Sequence, residues 1–237
     1  MEIINKMRNY SAGEDYEPLQ VELEVIPPVY LTSPFLHFDG IISYLCMRDC
    51  LDDDFYILPS NLILPVDELA LPLKKTDDVY HSSVGLFDKA ILKKNTIYKR
   101  FTDKETFHLT KKQQKGRIKT NQGHFKDFMI DLPLLLTNKV TFYCNGDKKE
   151  LKRLLKHLKA IGKKTDIGGG RIKKTNITGT PEDYSFFKDN KIMRPIPTNM
   201  KIPIFKGMKI QRQPYKPPYW NKENMVMCFV PETNIKV

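Results

Sequence analysis

Long apolar runs are missing: no stretch of the 237 residues approaches the roughly 20 needed to span a bilayer. The opening Met1-Glu2-Ile3-Ile4-Asn5-Lys6 lacks the basic-then-apolar pattern of a secretory leader. Cysteine is scarce, with four in the chain, which excludes a disulfide scaffold and makes a reducing cytoplasm the expected compartment. Cys46 and Cys50 lie one helical turn apart, but no Cys-x-x-Cys or His-x-x-x-His pair completes a zinc set. Cys46, Cys50, Cys144 and Cys228 therefore read as core thiols, and neither metal nor cofactor is expected. No Walker loop, Rossmann fingerprint, Ser-His-Asp set or paired-carboxylate motif is present. Acidic side chains are in deficit, 28 against 39 Lys plus Arg, for a formal charge of +11. That excess disfavours a cationic partner and favours a polyanion, nucleic acid ahead of an anionic membrane surface.

The charge is segregated. One basic cluster runs from Lys89 to Lys126 and includes Lys111, Lys112, Lys115, Arg117 and Lys119, with Asp103 and Glu105 as its only acids. A second runs from Lys148 to Lys174 and includes Lys163, Lys164 and Arg171. The N-terminal part carries Glu14, Asp15, Glu17, Glu22, Glu24 and the run Asp52-Asp53-Asp54. A merely solvated surface mixes the two signs more evenly.

With 41% hydrophobic residues the chain can build a core. Residues 1–18 are polar and read as a loose arm. Leu19, Val21, Leu23 and Val25 alternate with Gln20, Glu22 and Glu24, a half-buried strand ended by Pro27-Pro28. Leu36–Leu51 reads as a helix with Ser33 as cap and Pro34 just inside its start. Pro59, Pro65 and Pro72 break residues 55–87 into short strands and irregular connections. Lys89–Lys126, with β-prone pieces around a polar middle, reads as a protruding hairpin or mobile loop. Leu151, Leu154, Leu155, Leu158 and Ile161 form a helical stripe over Lys148–Ile161, with Gly162 as its C-cap. Arg171–Ile177 alternates as a strand, and Met225–Val230 is an apolar one. The expected fold class is α+β, a ferredoxin-like β-α-β-β-α-β core over 19–179 with an inserted basic excursion at 89–126. A Pro-rich, β-rich extension over 180–237 packs on that core.

The densest chemistry lies in Gly162-Lys163-Lys164-Thr165-Asp166-Ile167-Gly168-Gly169-Gly170-Arg171. Adjacent glycines permit positive φ and leave no Cβ barrier, so a phosphate can approach backbone N–H groups while the cations supply charge. A helix cap followed by a tight turn explains the same residues. Tyr98, Phe101, Phe107, His108 and Phe125 are scattered through the first basic cluster, where single-stranded bases stack on such rings. Phe107 and Phe125 also serve as tethers of the excursion to the core, and Phe125 reads foremost as that. His37 and Asp39 lie at the start of the first helix, as structural residues or as RNA contacts, and His37 reads foremost as a structural histidine holding a turn. Tyr44 reads as core, and Trp220 as a packing anchor.

These segments together resemble the RAMP superfamily of CRISPR-associated RNA-binding proteins. The helix running into Gly-Lys-Lys-Thr-x-x-Gly-Gly-Gly-Arg-Ile is similar to that superfamily's glycine-rich loop. Ser33-Pro34-Phe35-Leu36-His37-Phe38-Asp39-Gly40 resembles the opening of helix one in the Cas-five-like subunit of type IV effectors. Arg194-Pro195-Ile196-Pro197, Lys216-Pro217-Pro218-Tyr219-Trp220 and Cys228-Phe229-Val230-Pro231 resemble its C-terminal part. The likeness spans roughly 19–232, and 89–126 departs from it where the family has a variable thumb. It implies a non-catalytic subunit that grips the 5′ handle of a CRISPR RNA and caps one end of a ribonucleoprotein complex. Its partners would be filament-forming and large subunits, with a target nucleic acid in reach and no membrane. Gly168, Gly169, Gly170, Lys163, Lys164 and Arg171 would contact RNA, with Lys111, Lys112, Lys115, Arg117 and Lys119 on the thumb. Two other readings stand beside it. One is a metal-independent RAMP endoribonuclease with His37 as general base, separable by a cleavage assay. The other is a viral or plasmid single-stranded nucleic-acid binder, separable by handle-versus-random discrimination.

Overall fold

The computed structural model describes residues 2–59, 62, 64–101, 120–123, 125–205 and 207–232, with Glu2 in backbone only. In chain order the elements are α1 (Glu2–Arg8), β1 (Tyr16–Ile26), β2 (Val29–Tyr30), α2 (Phe38–Leu51), β3 (Lys75–Thr76), β4 (Val79–Tyr80), β5 (Leu86–Phe87), β6 (Ile91–Lys99), β7 (Phe128–Leu136) and β8 (Lys139–Asp147). They continue with α3 (Lys148–Leu155), β9 (Arg171–Gly179), β10 (Phe187–Lys188), β11 (Lys191–Ile192), β12 (Ile196–Pro197), β13 (Lys209–Pro214) and β14 (Met225–Val230). The fold class is α+β, with antiparallel strand pairing throughout the described residues.

The central sheet has the order β5-β8-β1-β9. The alternation read in β1 is what seats it: Leu19, Val21, Leu23 and Val25 are all buried. Helix α2 covers this sheet with Phe38, Ile42, Leu45 and Cys46, and the Phe38 ring meets Phe142 of β8 at 5.0 Å. Helix α3 adds Leu151, Leu154 and Leu155. A second sheet, β2-β7-β6, carries the long β6–β7 pairing from Ile91↔Leu136 to Lys99↔Phe128. These are the two arms of the basic excursion. Phe107, His108, Lys111, Lys112, Lys115, Arg117 and Lys119 lie outside the described residues. A third sheet, β12-β14-β13, closes the C-terminal part, where Cys228 and Val230 pack with Phe35 and Val84.

Several expectations need correction. The N-terminal segment is not a loose arm: α1 buries Met7 completely, and Arg8 pairs with Glu68 at 2.5 Å. Ile3, Ile4 and Met7 hold helical spacing over one turn only, too short a pattern to set a helix apart from a polar arm. Ser33 does not cap α2. Its Oγ accepts from the Phe35 N–H at 3.2 Å, and His37 occupies the cap position without a side-chain bond. Helix α3 stops at Leu155, short of Ile161. Beyond it, His157 and Leu158 donate to Leu154 and Leu155 in a tightening turn, and the chain then runs beside β9, the Ile172 N–H donating to Lys159 C=O at 2.9 Å. Leu158 and Ile161 are buried all the same, so their stripe mimicked two more helical turns. Trp220 is 75% exposed and anchors nothing. Tyr44 is exposed as well, edge-on to Phe55 at 5.7 Å. Phe125 packs edge-on against Phe101 at 5.1 Å, at the root of the excursion instead of in the core.

Candidate nucleic-acid interface

A groove of about 660 Å³ opens between the start of α2, the Tyr30–Ser33 segment, the 158–165 loop and the end of β13. His37, Gly40 and Tyr44 come to it from one side, Gly162, Lys163 and Thr165 from another, and Tyr219 from the C-terminal part. His37, read from the sequence foremost as structural, and the glycine loop, the densest chemistry in the sequence, therefore line one concave surface despite their separation in sequence.

The loop's shape follows from its glycines. Gly162, Gly168 and Gly170 have φ of 83°, 91° and 61°, and Lys164 is also left-handed at 56°. A Cβ on Gly170 would stand 2.0 Å from the Ile161 carbonyl oxygen, and one on Gly169 2.8 Å from the Tyr30 ring. The glycine N–H groups are already engaged. Gly168 donates to Thr165 C=O at 3.2 Å, Gly169 to Lys164 C=O at 3.0 Å and Gly170 to Pro28 C=O at 2.8 Å. The expected approach of a phosphate to these three donors is thus closed. What the loop offers a ligand is side chains: Lys163 and Arg171 are exposed, and Lys164 is half-buried with its ammonium 5.8 Å from the centre of the Phe128 ring. Tyr30 ties the loop to the excursion: its carbonyl accepts from Lys163 N–H at 2.8 Å, and its hydroxyl accepts from Asn95 of β6 at 2.9 Å.

Beneath the groove lies a buried polar network whose pairing the sequence did not disclose. Arg194 and Asp39 are each 1% exposed and pair at 3.1 Å. Arg194 also donates to the carbonyls of Tyr80, Ser82 and Tyr215 and to Ser82 Oγ. The Tyr219 hydroxyl donates to Asp39 Oδ1 at 2.6 Å, and Gly40 N–H donates to the same oxygen. The guanidinium thereby satisfies carbonyls that secondary structure leaves open, in a site where orphaned polar groups are costly. The only sequence signal was the Arg-Pro-Ile-Pro run, whose prolines remove N–H donors without saying where the arginine points. Tyr219 in turn stacks on His37, ring centres 3.7 Å apart and planes at 15°. Burial, then the Arg194 charge, hold the His37 pKa well below its usual 6.5. Burial and the neighbouring Asp39 push the Tyr219 hydroxyl well above its usual 10. Near neutrality both rings are uncharged.

Cys46, Cys144 and Cys228 are buried free thiols, and Cys50 is half-buried. Among the described residues, no three His, Cys, Asp or Glu side chains gather in a metal-binding arrangement. No described helix is long and apolar enough to cross a membrane.

The chain is thus an antiparallel α+β protein with a cation-bearing glycine loop beside a groove. Residues 17–231 match the family described as CRISPR type IV associated protein Csf3, and the chain belongs to that family. A search of curated proteins finds no significant match.

Proposed function

We propose that the protein is an RNA-binding subunit of a type IV CRISPR effector, without catalysis of its own. It grips the 5′ handle of the CRISPR RNA in the groove between α2 and the glycine loop and caps one end of the complex. The observation that carries this reading is the convergence of Lys163, Gly162, His37 and Tyr219 on one groove. Lys164 and Arg171 stand beside it, and the arms of the basic excursion connect to it through Tyr30. A single strand fits such a surface: cations meet phosphates, and exposed rings such as Tyr44 accept bases. Lys111, Lys112, Lys115, Arg117 and Lys119 would extend the grip as a thumb.

We read the core as ferredoxin-like. Taking β1, β5, β8 and β9 as its four strands, α2 falls between the first two and α3 between the last two, and the order β9-β1-β8-β5 is fourth, first, third, second. Such a core hosts many functions, so the groove and the family carry the functional reading. His37 argues against the endoribonuclease alternative. A general base needs access and a pKa near the working pH, whereas this ring is stacked on Tyr219 and strongly depressed.

The test is a gel shift of the purified chain with cognate repeat-handle RNA and a scrambled RNA of equal length, scored also for cleavage. Preference for the handle with both RNAs intact is the expected result. Metal-independent cutting that His37→Ala abolishes would replace the reading with the nuclease, and equal binding of both RNAs would reduce it to a general single-strand binder.

A further inference from the structure

A second concave surface, of about 540 Å³, lies between α3 and the outer side of β9. Six lysines line it: Lys148, Lys152, Lys156 and Lys159 from α3 and its extension, and Lys173 and Lys174 from β9. On the helix, Lys148, Lys152 and Lys156 recur every fourth residue and so share a face, stepping about 6 Å along the axis. No acidic residue lines the surface. Several cations elsewhere in the fold are paired: Lys6 with Asp54, Lys94 with Asp131, Lys139 with Glu22, and Arg153 with Asp49 and Glu150. Here, among the described residues, Lys148 alone has a carboxylate partner, Glu17 at 3.7 Å. All six lysines are exposed. Like charges gathered over a concave apolar floor repel one another and focus a positive potential outward, which an anion relieves.

The surface adjoins the first groove, with Leu158 lining both. Along β9 only the first residues are covered on the outer side, by Lys159 and Ala160, and from Lys173 onward that edge is open. We propose that the lysine-lined surface is a second, sequence-independent contact for the same RNA strand, taking the phosphodiester backbone that continues past the glycine-loop groove. It rests on the RNA reading of that groove and adds the strand's onward path. Charge complementarity selects the occupant: a basic or apolar protein segment would leave these ammonium groups unpaired, whereas phosphates arrive already charged and repeat along the chain.

The experiment compares handle RNA alone with the same handle extended by a uridine homopolymer, against the wild type and Lys152→Gln/Lys156→Gln/Lys173→Gln/Lys174→Gln. Affinity is measured over a salt series. In the wild type the extended RNA shows the steeper dependence of log affinity on log salt. In the variant that extra dependence disappears, a slope change of about 2 to 3 units at roughly 0.7 per single-strand contact, while the handle alone binds as before. Photo-crosslinking of the extended RNA to the unmodified protein puts adducts on peptides 148–159 and 171–177, a readout independent of the variant's folding. Equal slopes for the two RNAs in the wild type, or a folded variant with an unchanged slope, would overturn the proposal. So would a variant that keeps RNA affinity and loses its place in the assembled effector, which would make the surface a protein interface. The handle-only arm with Lys163→Ser/Lys164→Ser reports on the first groove separately. Its failure there, with the extension effect intact, would sink the handle reading and leave the lysine surface standing as a strand contact.

Discussion

Arg194 and Asp39, from opposite ends of the chain, form a fully buried ion pair at 3.1 Å, and Tyr219 completes it from the side facing the groove. The pair locks three otherwise separate pieces: the start of α2, the Tyr80–Ser82 segment and the Pro-rich run at Tyr215–Tyr219. Removing the arginine leaves a buried carboxylate with no countercharge. Arg194→Ala is expected to cost about 3–5 kcal/mol in chemical denaturation. Asp39→Asn, which keeps an acceptor for Tyr219, should cost less. Equal, small losses for the two variants would show that the network is incidental to stability.

His37 makes stability depend on pH in a definite direction. Unfolded, the imidazole takes a proton near 6.5, whereas folded it does so only at lower pH, chiefly because the half-buried ring, stacked on Tyr219, is desolvated. Below about 6.5 the unfolded chain binds more protons, so this group's contribution is intact above that pH and is lost as pH falls toward the folded value. One such group contributes a slope of at most about 1.4 kcal/mol per pH unit. His37→Phe keeps a ring over Tyr219 and cannot titrate. It should flatten the stability profile below about pH 6.5. An undiminished slope in the variant would show that the imidazole is not held neutral.

The glycines of the loop are not equivalent. Gly168 has open space at its Cβ direction, whereas a methyl on Gly170 would collide with Ile161 C=O. Gly168→Ala should therefore cost about 1 kcal/mol of positive-φ strain. Gly170→Ala should cost more than the roughly 1–3 kcal/mol usual for backbone strain, because the loop has to move. Thermal melts of both variants decide this, and a Gly170→Ala protein as stable as Gly168→Ala would contradict the packing described here.

For the basic excursion, the expected reading is a salt slope. Changing Lys111, Lys112, Lys115 and Arg117 together to Ser should flatten log affinity against log salt by about 2 units, if three of the four touch phosphates. Handle preference should survive, since backbone contacts carry no sequence. An unaltered slope would turn the excursion toward a protein partner.

What was legible in the sequence was the periodic part. The alternation of β1, the apolar run of β14 and the helical stripe Leu151, Leu154, Leu155 of α3 each repeat their signal over successive turns or pleats. The glycine loop's position between α3 and β9 was equally readable, because Gly168–Gly170 interrupt both patterns. Non-repeating information was not readable. Ile3 and Met7 give the first helix one turn of pattern, and the 158–161 segment buries Leu158 and Ile161 at helical spacing while running alongside β9. Trp220 had the composition of an anchor and the exposure of a contact residue, since exposure depends on what the surrounding chain leaves uncovered. The Arg194–Asp39 pair spans nearly the whole core, and no local pattern encodes such a partner. Site chemistry divided the same way: which residues carry charge was evident, while the prior commitment of the glycine N–H groups emerged only from the fold.

The most direct test is the affinity of the purified protein for single-stranded handle RNA, wild type against Lys163→Ser/Lys164→Ser, across a salt series. Two lost phosphate contacts should lower the slope by about 1.4, and affinity at physiological salt should fall at least about tenfold, near 1.4 kcal/mol. The melting temperature should stay close to the wild-type value, because Lys163 is exposed and Lys164 is only half-buried and neither enters an ion pair among the described residues. A folded double variant with the wild-type affinity and slope would contradict the assignment of this groove to RNA.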